Sequence, residues 1–404
     1  MLLYSLLISF ALTIFYVSIM WAYKNEWEDL RETEATSQPA GTTTISIIIP
    51  ARNEAKNIFN ILHDISEQTY PAASFEVIVI DDHSEDDTHK ISSSFAEHHP
   101  QFKTFRLSDL LAEADIKSAY KKRAIEAAVK LASGTLIITT DADCRVQKTW
   151  LQQIASFYEK EKCKLIAAPV CFYGVDGRFQ QFQALDFCGM QAITGASLSM
   201  GMFNMANGAN LAYEKEAFLQ VNGYQDIDKK ASGDDMLLVY KIAHQYPEQV
   251  KFLKDKLAVV YTKPCESINE FLQQRFRWTS KSRSYQDKRI SLILGLVYLF
   301  VLSIWLNALY FIGKLIYSSI FPDRTLEGLL NFLPALMLLL MTIFQIICKS
   351  IIDYNFLKSA SSFFKRQDLM KSFFTSELLH IWYIPFVGTF GNILQYQWKG
   401  RKLK

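Results

Sequence analysis

Three stretches of this chain are long and apolar enough to cross a bilayer, and they bracket a long central region: residues 1–23, 290–312 and 329–348. A hydrocarbon core takes about 20 apolar residues as a helix. The first stretch holds no charged side chain, and no Lys or Arg precedes it. Trp21, Tyr23 and Trp27 form an interfacial aromatic belt where a secretory signal would carry a small-residue cleavage site. We read residues 1–23 as a retained transmembrane anchor. Residues 24–44 are polar, hold Pro39 and Gly41 near their end, and read as a juxtamembrane linker. The chain is 50% hydrophobic with a net charge of +2. That is too apolar for a purely soluble protein and lacks the basic excess of a nucleic-acid binder.

Residues 288–348 are expected to form two transmembrane helices. Lys281, Arg283, Lys288 and Arg289 precede them, and Lys349, Lys358, Lys365, Arg366 and Lys371 follow. The positive-inside rule then places both flanks in the cytoplasm. In residues 349–404 a cytoplasmic loop leads into an apolar stretch, 373–394. That stretch carries Glu377, His380, Pro385, Gly388 and Gly391. A third span would export the basic tail of Lys399, Arg401, Lys402 and Lys404, so a re-entrant or interfacial segment is expected. The six cysteines are scattered without a C-x-x-C pair and read as reduced thiols. The histidines lack metal-ligand spacing.

Between the apolar ends, residues 45–287 alternate strand and helix patterns. Strands are expected at 45–49, 77–80 and 136–138, each a β-branched or aliphatic run. Helices are expected at 54–68 and 121–131, the second ended by Gly134. This order implies an α/β fold with a mainly parallel sheet, in which ligands bind beyond the carboxyl ends of the strands. Asp81, Asp82, Asp141 and Asp143 all stand there.

Asp141-Ala142-Asp143 can share a hard cation, Mg²⁺ or Mn²⁺, with a diphosphate. Asp81-Asp82 can accept the imide N–H of a uracil. Alternatively the acidic cluster around Ser84 and Asp86 caps a following helix. Lys121, Lys122 and Arg123 can pair with a diphosphate or form a solvated basic turn. Asp234-Asp235 precedes an apolar helical stretch and offers a general base for an acceptor hydroxyl, or an N-cap. In Gln274-Arg275-Phe276-Arg277-Trp278, Arg can bind diphosphate and Trp can stack on a sugar. The same residues also suit an interfacial helix with snorkelling Arg.

Together these residues resemble the family 2 glycosyltransferases with their GT-A nucleotide-diphospho-sugar domain, over about residues 45–283. Pro50-Ala51-Arg52-Asn53-Glu54 resembles P-x-x-N-E, and Asp81-Asp82-His83-Ser84 resembles D-D-G-S. Asp141-Ala142-Asp143 resembles D-x-D. Asp234-Asp235 stands at the family's E-D pair, Asn207-Gly208-Ala209-Asn210 resembles its G-x-N loop, and Gln274, Arg277 and Trp278 match Q-x-x-R-W. His83 and Tyr120 stand where the family has a small residue and a Gly. The resemblance implies inverting transfer from a nucleotide-sugar, a UDP-sugar before a GDP-sugar. It gives Asp235, with Asp234, the catalytic place, and Asp143 and Asp141 the metal. Pro50, Glu54, Asp81, Asp82, Lys121, Asp141, Gln274, Arg277 and Trp278 would bind the donor. Gly208, Asn210 and Trp278 would meet the acceptor.

Q-x-x-R-W occurs both in processive polysaccharide synthases and in single-transfer enzymes acting on ceramide or carotenoid-like lipids. So few spans make a thin wall for a polymer channel, and residues 179–198 form an apolar stretch able to lie on the bilayer and admit a lipid. Single transfer to a lipid at the cytoplasmic face of a bacterial inner membrane is therefore the expected activity, with polysaccharide synthesis as the alternative. An inactive sugar-nucleotide scaffold is opposed by the intact Asp141, Asp143 and Asp235. A nucleotidyltransferase would lack the Gln274–Trp278 element. A transporter is opposed by spans with almost no charge beyond Lys314.

Overall fold

The computed structural model describes residues 2–33, 42–111, 120–203, 205–225, 233–281, 285, 287–323, 325–391, 393–394, 396–398 and 401–403. Helix α1 (Leu2–Asp29) leads into a sheet built from β1 (Ile45–Ala51), β2 (Phe75–Asp81), β3 (Phe102–Arg106), β4 (Leu136–Thr139), β5 (Leu165–Ala167), β7 (Leu211–Glu214) and β8 (Val250–Phe252). Their order is β3-β2-β1-β4-β7-β5-β8. β1 pairs in parallel with β2 and β4, and β2 with β3. β7 runs antiparallel to β4 and β5. The sheet is thus mainly parallel but mixed. Strands β6 (Val170–Phe172) and β9 (Val260–Thr262) form a separate parallel pair.

Burial explains the β-branched runs. Ile47, Ile48, Ile49, Val77 and Ile78 are covered on both faces, as central parallel strands must be. The covering helices include α2 (Ile58–Ser66), α3 (Thr88–His98), α5 (Tyr120–Leu131) and α6 (Trp150–Glu161); the short α4 (Leu107–Leu110) follows β3. Pro50 is tolerated inside β1 because β4 pairs with β1 only as far as Ile48.

Two local expectations are corrected. The helix expected from residue 54 starts at Ile58, because Glu54 belongs to a turn in which the Asn57 and Ile58 N–H groups donate to the Glu54 carbonyl. Gly134 is not a helix cap, since α5 ends at Leu131. A Cβ on Gly134 would stand 2.5 Å from Ser46 N, so glycine is needed there for close approach to β1.

Helix α7 (Arg178–Ser199) contacts β6 and β8 on one side and α1 and α12 (Leu326–Phe363) on the other. Phe182, Leu185, Phe187, Ala192 and Leu198 are all buried. Residues 179–198 therefore do not lie open on a bilayer; they form a layer between sheet and apolar helices. The short α8 (Lys215–Gln220) precedes α9 (Asp234–Gln245) and α10 (Ile268–Ser280).

Helices α1, α11 (Lys288–Ile320) and α12 are each long and apolar enough to cross a membrane. They leave Leu7, Leu306, Leu329 and Leu340 exposed, an apolar surface of the kind that faces lipid. Polar side chains join them inside: Asn307 Nδ2 donates to Ser9 Oγ at 3.0 Å and Gln345 Oε1 at 3.2 Å. Helix α12 continues past residue 348. Lys349 lies inside it, fully buried, so it is no part of the basic flank that orients the helices. Helix α13 (Phe373–Phe390) packs on α7, α10 and α11. Hairpin β10 (Tyr396–Trp398) and β11 (Arg401–Leu403) follows.

Candidate active site

The loops after β1 and β2 are tied to each other. Asn53 N–H donates to Ser84 Oγ at 3.0 Å and Glu85 N–H to Asn53 Oδ1 at 2.9 Å. Glu54 N–H donates to Thr88 Oγ1 at 2.7 Å, and Ala55 N–H to Asp86 Oδ2 at 3.0 Å. Asn53 and His83 both adopt left-handed backbone, φ 52° and 56°. Asn is favoured there among residues with a side chain, and His83 occupies a turn suited to a small residue. Asp86 also accepts from Thr88 N at the start of α3. Asp86 thus ties the loop to the first turn of α3, whose N-cap residue Asp87 makes no side-chain cap bond, and neither Asp81 nor Asp82 takes that role.

At the carboxyl ends of β1, β2 and β4 lies a polar cavity of about 570 Å³. Pro50, Glu54, Asp82, Lys121, Asp141, Asp143, Gly208, Asp235, Gln274, Arg277 and Trp278 all line it. Residues more than two hundred positions apart in sequence therefore meet. Glu54 accepts from Asn57 Nδ2 at 2.7 Å, which orients its carboxylate. Lys121 Nζ donates to Asp141 Oδ1 at 2.7 Å. Its neighbours part company with it: Lys122 is buried and Arg123 pairs with Glu126.

Helix α10 starts at a capping box made by Ser267 and Glu270. From there, Gln274, Arg277 and Trp278 stand three and four residues apart, on one face, and reach the cavity. The intervening Arg275 points away from it. Arg275 is not a snorkelling side chain: its Nη2 donates to the buried Asp186 of α7 at 2.7 Å. Its guanidinium also stacks 4.4 Å from the Trp278 ring. Burial raises the Asp186 carboxyl above its ordinary value, against the pull of Arg275.

Asp235 stands in the first turn of α9, after Gly233 at φ 82°. Lys281 Nζ donates to Asp235 Oδ1 at 3.1 Å. Burial, then the charge of Asp235, pushes the Tyr285 hydroxyl up to about 12, so that phenol stays protonated. The Asp234 side chain lies outside the described residues.

Two of the expected site residues do not line the polar cavity. Asn210 does not reach the polar cavity. It is buried, donates to the Pro169 and Ala258 carbonyls at 2.8 Å each, and accepts from Trp150 Nε1 at 3.0 Å. Both N–H groups and the oxygen of its amide thus have partners inside the protein. Gly208 lines the polar cavity in its place. Asp81 is the last residue of β2 and is buried; Asp82, and not Asp81, lines the polar cavity.

A second cavity, about 670 Å³, lies between α7, α10 and the apolar helices α1, α11, α12 and α13. Phe187, Asn207, Asp235, Trp278 and Lys281 line both cavities. Asp235 thus stands where they meet. Sequence reasoning missed Lys281, which reads as one more juxtamembrane cation, and Arg275, which the motif leaves unspecified. It also missed Asp186, a lone acid in an apolar stretch; that isolation was the one available signal.

The family model described as Glycosyl transferase family group 2 matches residues 136–349, and that described as Glycosyl transferase family 2 matches residues 46–192. The chain belongs to the family 2 glycosyltransferases. It is 26% identical over 233 residues to glycosyltransferase AglE of Haloferax volcanii, covering 58% of this chain and 71% of that one. It is 30% identical over 118 residues to β-monoglucosyldiacylglycerol synthase of Trichormus variabilis, covering 29% of this chain and 24% of the relative. The mannosyltransferase PcManGT of Pyrobaculum calidifontis, solved with GDP-Man and Mn²⁺, superposes with TM-score 0.53 at 19% identity, over 93% of this chain and 99% of that one. That likeness carries the GT-A fold and no substrate.

Proposed function

We propose that this family 2 glycosyltransferase transfers a sugar from a nucleotide-sugar, a UDP-sugar first, to a membrane lipid at the cytoplasmic face. The observation that carries this reading is the position of Asp235 at the junction of a polar cavity and an apolar one. The polar cavity suits the donor. Asp82 accepts from the nucleobase, and Lys121 and Arg277 bind the diphosphate. Asp141 and Asp143 offer hard oxygen ligands at the cavity wall, a fit for Mg²⁺ or Mn²⁺. A divalent ion there would neutralise the leaving diphosphate. Trp278 offers a ring face to the sugar.

The apolar cavity suits a lipid, which enters between helices long enough to span a bilayer. The acceptor hydroxyl gives its proton to Asp235 as its oxygen attacks the anomeric carbon and the nucleoside diphosphate departs. A single displacement inverts the anomeric centre. Exposed Lys358, Lys365 and Lys371 at the end of α12 favour a cytoplasmic placement, in a bacterial inner membrane. The similarity to a synthase of a glucosylated diacylglycerol supports the acceptor class.

The test is incubation of the detergent-purified chain with radiolabelled UDP- and GDP-sugars, Mn²⁺ or Mg²⁺, and host lipid extract. Metal-dependent label in the organic phase is expected. Label in a high-molecular-weight aqueous fraction would instead make this a polysaccharide synthase.

A further inference from the structure

The ionisable groups of the apolar cavity say what head group it takes. Its walls carry four carboxylates, Asp186, Asp235, Asp353 and Glu377, against two cations, Arg275 and Lys281. Both cations are already engaged. Arg275 holds Asp186 at 2.7 Å, and Lys281 holds Asp235 at 3.1 Å. Lys349 stands directly behind Asp353 and Glu377, at 2.6 Å and 2.7 Å, and is fully buried. His380 Nδ1 lies 3.2 Å from the same ammonium. Asp353, Glu377 and His380 have the spacing of a metal cluster, but all three already contact the Lys349 ammonium. Tyr16 closes the group with hydrogen bonds of 2.8 Å to both Asp353 oxygens.

Counting Lys349, four carboxyl groups stand against three cations, and each of these three cations has a carboxylate within 3.1 Å. A phosphate would arrive here as an anion among carboxylates, in an apolar surrounding that already opposes charge. Removing an ion from water costs several kcal/mol unless a partner compensates it, and like charges close together add to that cost. A hydroxyl-bearing head meets no such penalty, because carboxylates accept its O–H groups.

We propose that the acceptor is an electrically neutral, hydroxyl-bearing lipid, and that this cavity selects against lipids carrying a phosphate. This rests on the lipid-acceptor reading above and narrows it. The distinction is made by the carboxylate excess of the cavity wall, not by the base, which would serve either acceptor.

The test uses the full-length chain in neutral detergent with the donor that labels host lipid. Host lipids are first split by anion exchange into neutral and anionic fractions, and each is offered separately. Label is expected in the neutral fraction. Dioleoylglycerol and dioleoyl phosphatidylglycerol, which share their tails and differ in the phosphate-bearing head, are then compared as competitors. The neutral lipid should compete at least about tenfold better, as an uncompensated anion requires. Preferential label in the anionic fraction, or equal competition by phosphatidylglycerol, overturns the proposal while leaving a lipid glycosyltransferase. Label confined to polymer overturns the lipid reading, and this proposal with it.

Discussion

Lys281 Nζ donates to Asp235 Oδ1 at 3.1 Å, joining the residue after α10 to the first turn of α9. Both side chains line the polar and the apolar cavity. The pair balances charge at the junction and fixes the direction of the carboxylate. Asp235→Asn is expected to lower turnover by about 10²–10⁴, the range for loss of a general base, with an unchanged melting temperature. Lys281→Met should cause a smaller loss. Near-normal turnover of Asp235→Asn would remove it from the base position.

Asp141 and Asp143 are expected to act through the metal. Asp143→Ala should abolish label transfer and weaken the dependence of donor binding on Mn²⁺, read by calorimetry with UDP in the presence and absence of EDTA. An unchanged Mn²⁺ titration would place the ion elsewhere.

The Lys349 cluster predicts a large stability effect. Lys349→Met leaves Asp353 and Glu377 buried together without their cation, and breaking such a pair costs about 3–5 kcal/mol. The triple change with Asp353→Asn and Glu377→Gln should recover much of that loss. Thermal unfolding in detergent reads both, and equal melting temperatures for single and triple variants would contradict the argument.

Asn210→Ala should reduce stability without altering acceptor preference. It strips hydrogen bonds from the Pro169 and Ala258 carbonyls and from Trp150 Nε1. Each buried group left unsatisfied costs about 1–3 kcal/mol. A changed KM for acceptor at unchanged stability would return Asn210 to the acceptor site.

Glu76 predicts the acid limit of the sheet. Burial opposes its ionisation, but Lys103, Ser133 and Ser46 outweigh it and hold the carboxyl down to about 2. The folded value lies below the ordinary 4.5. Its stabilisation is therefore complete above about 4.5 and is lost as pH falls towards about 2. Glu76→Gln should be the less stable protein at neutral pH, with the gap closing in acid. Parallel acid unfolding curves for the two proteins would contradict this.

Much of the sheet was legible because burial on both faces demands uninterrupted β-branched runs, as in Ile47–Ile49 and Val77–Ile80. The Gln274, Arg277 and Trp278 face was legible because helical spacing alone puts those residues together. Gly134 and Asn210 were misread for one reason. Each looks like a local signal, a helix stop or a loop contact, but answers to a distant backbone: β1 for Gly134, Pro169 and Ala258 for Asn210. Lys349 was misread likewise, as a flanking charge, because its partner Glu377 lies on another helix.

The sequence by itself determined the family, the strands β1, β2 and β4 with the helix α5 between β2 and β4, and the apolar helices at both ends; the edge strand β3 carries no run long enough to announce itself. These follow from period, composition and short motifs, which neighbouring residues impose on each other. Only the tertiary structure decided that β7 is antiparallel, that Asp235 joins two cavities, and that Arg275, Asp186, Lys349 and Glu377 are buried in pairs. Each of those depends on which surfaces meet after the chain has folded back on itself. A buried charge persists only where a partner compensates it, and the partners of Asp186 and Glu377 stand on other helices, where no local pattern names them.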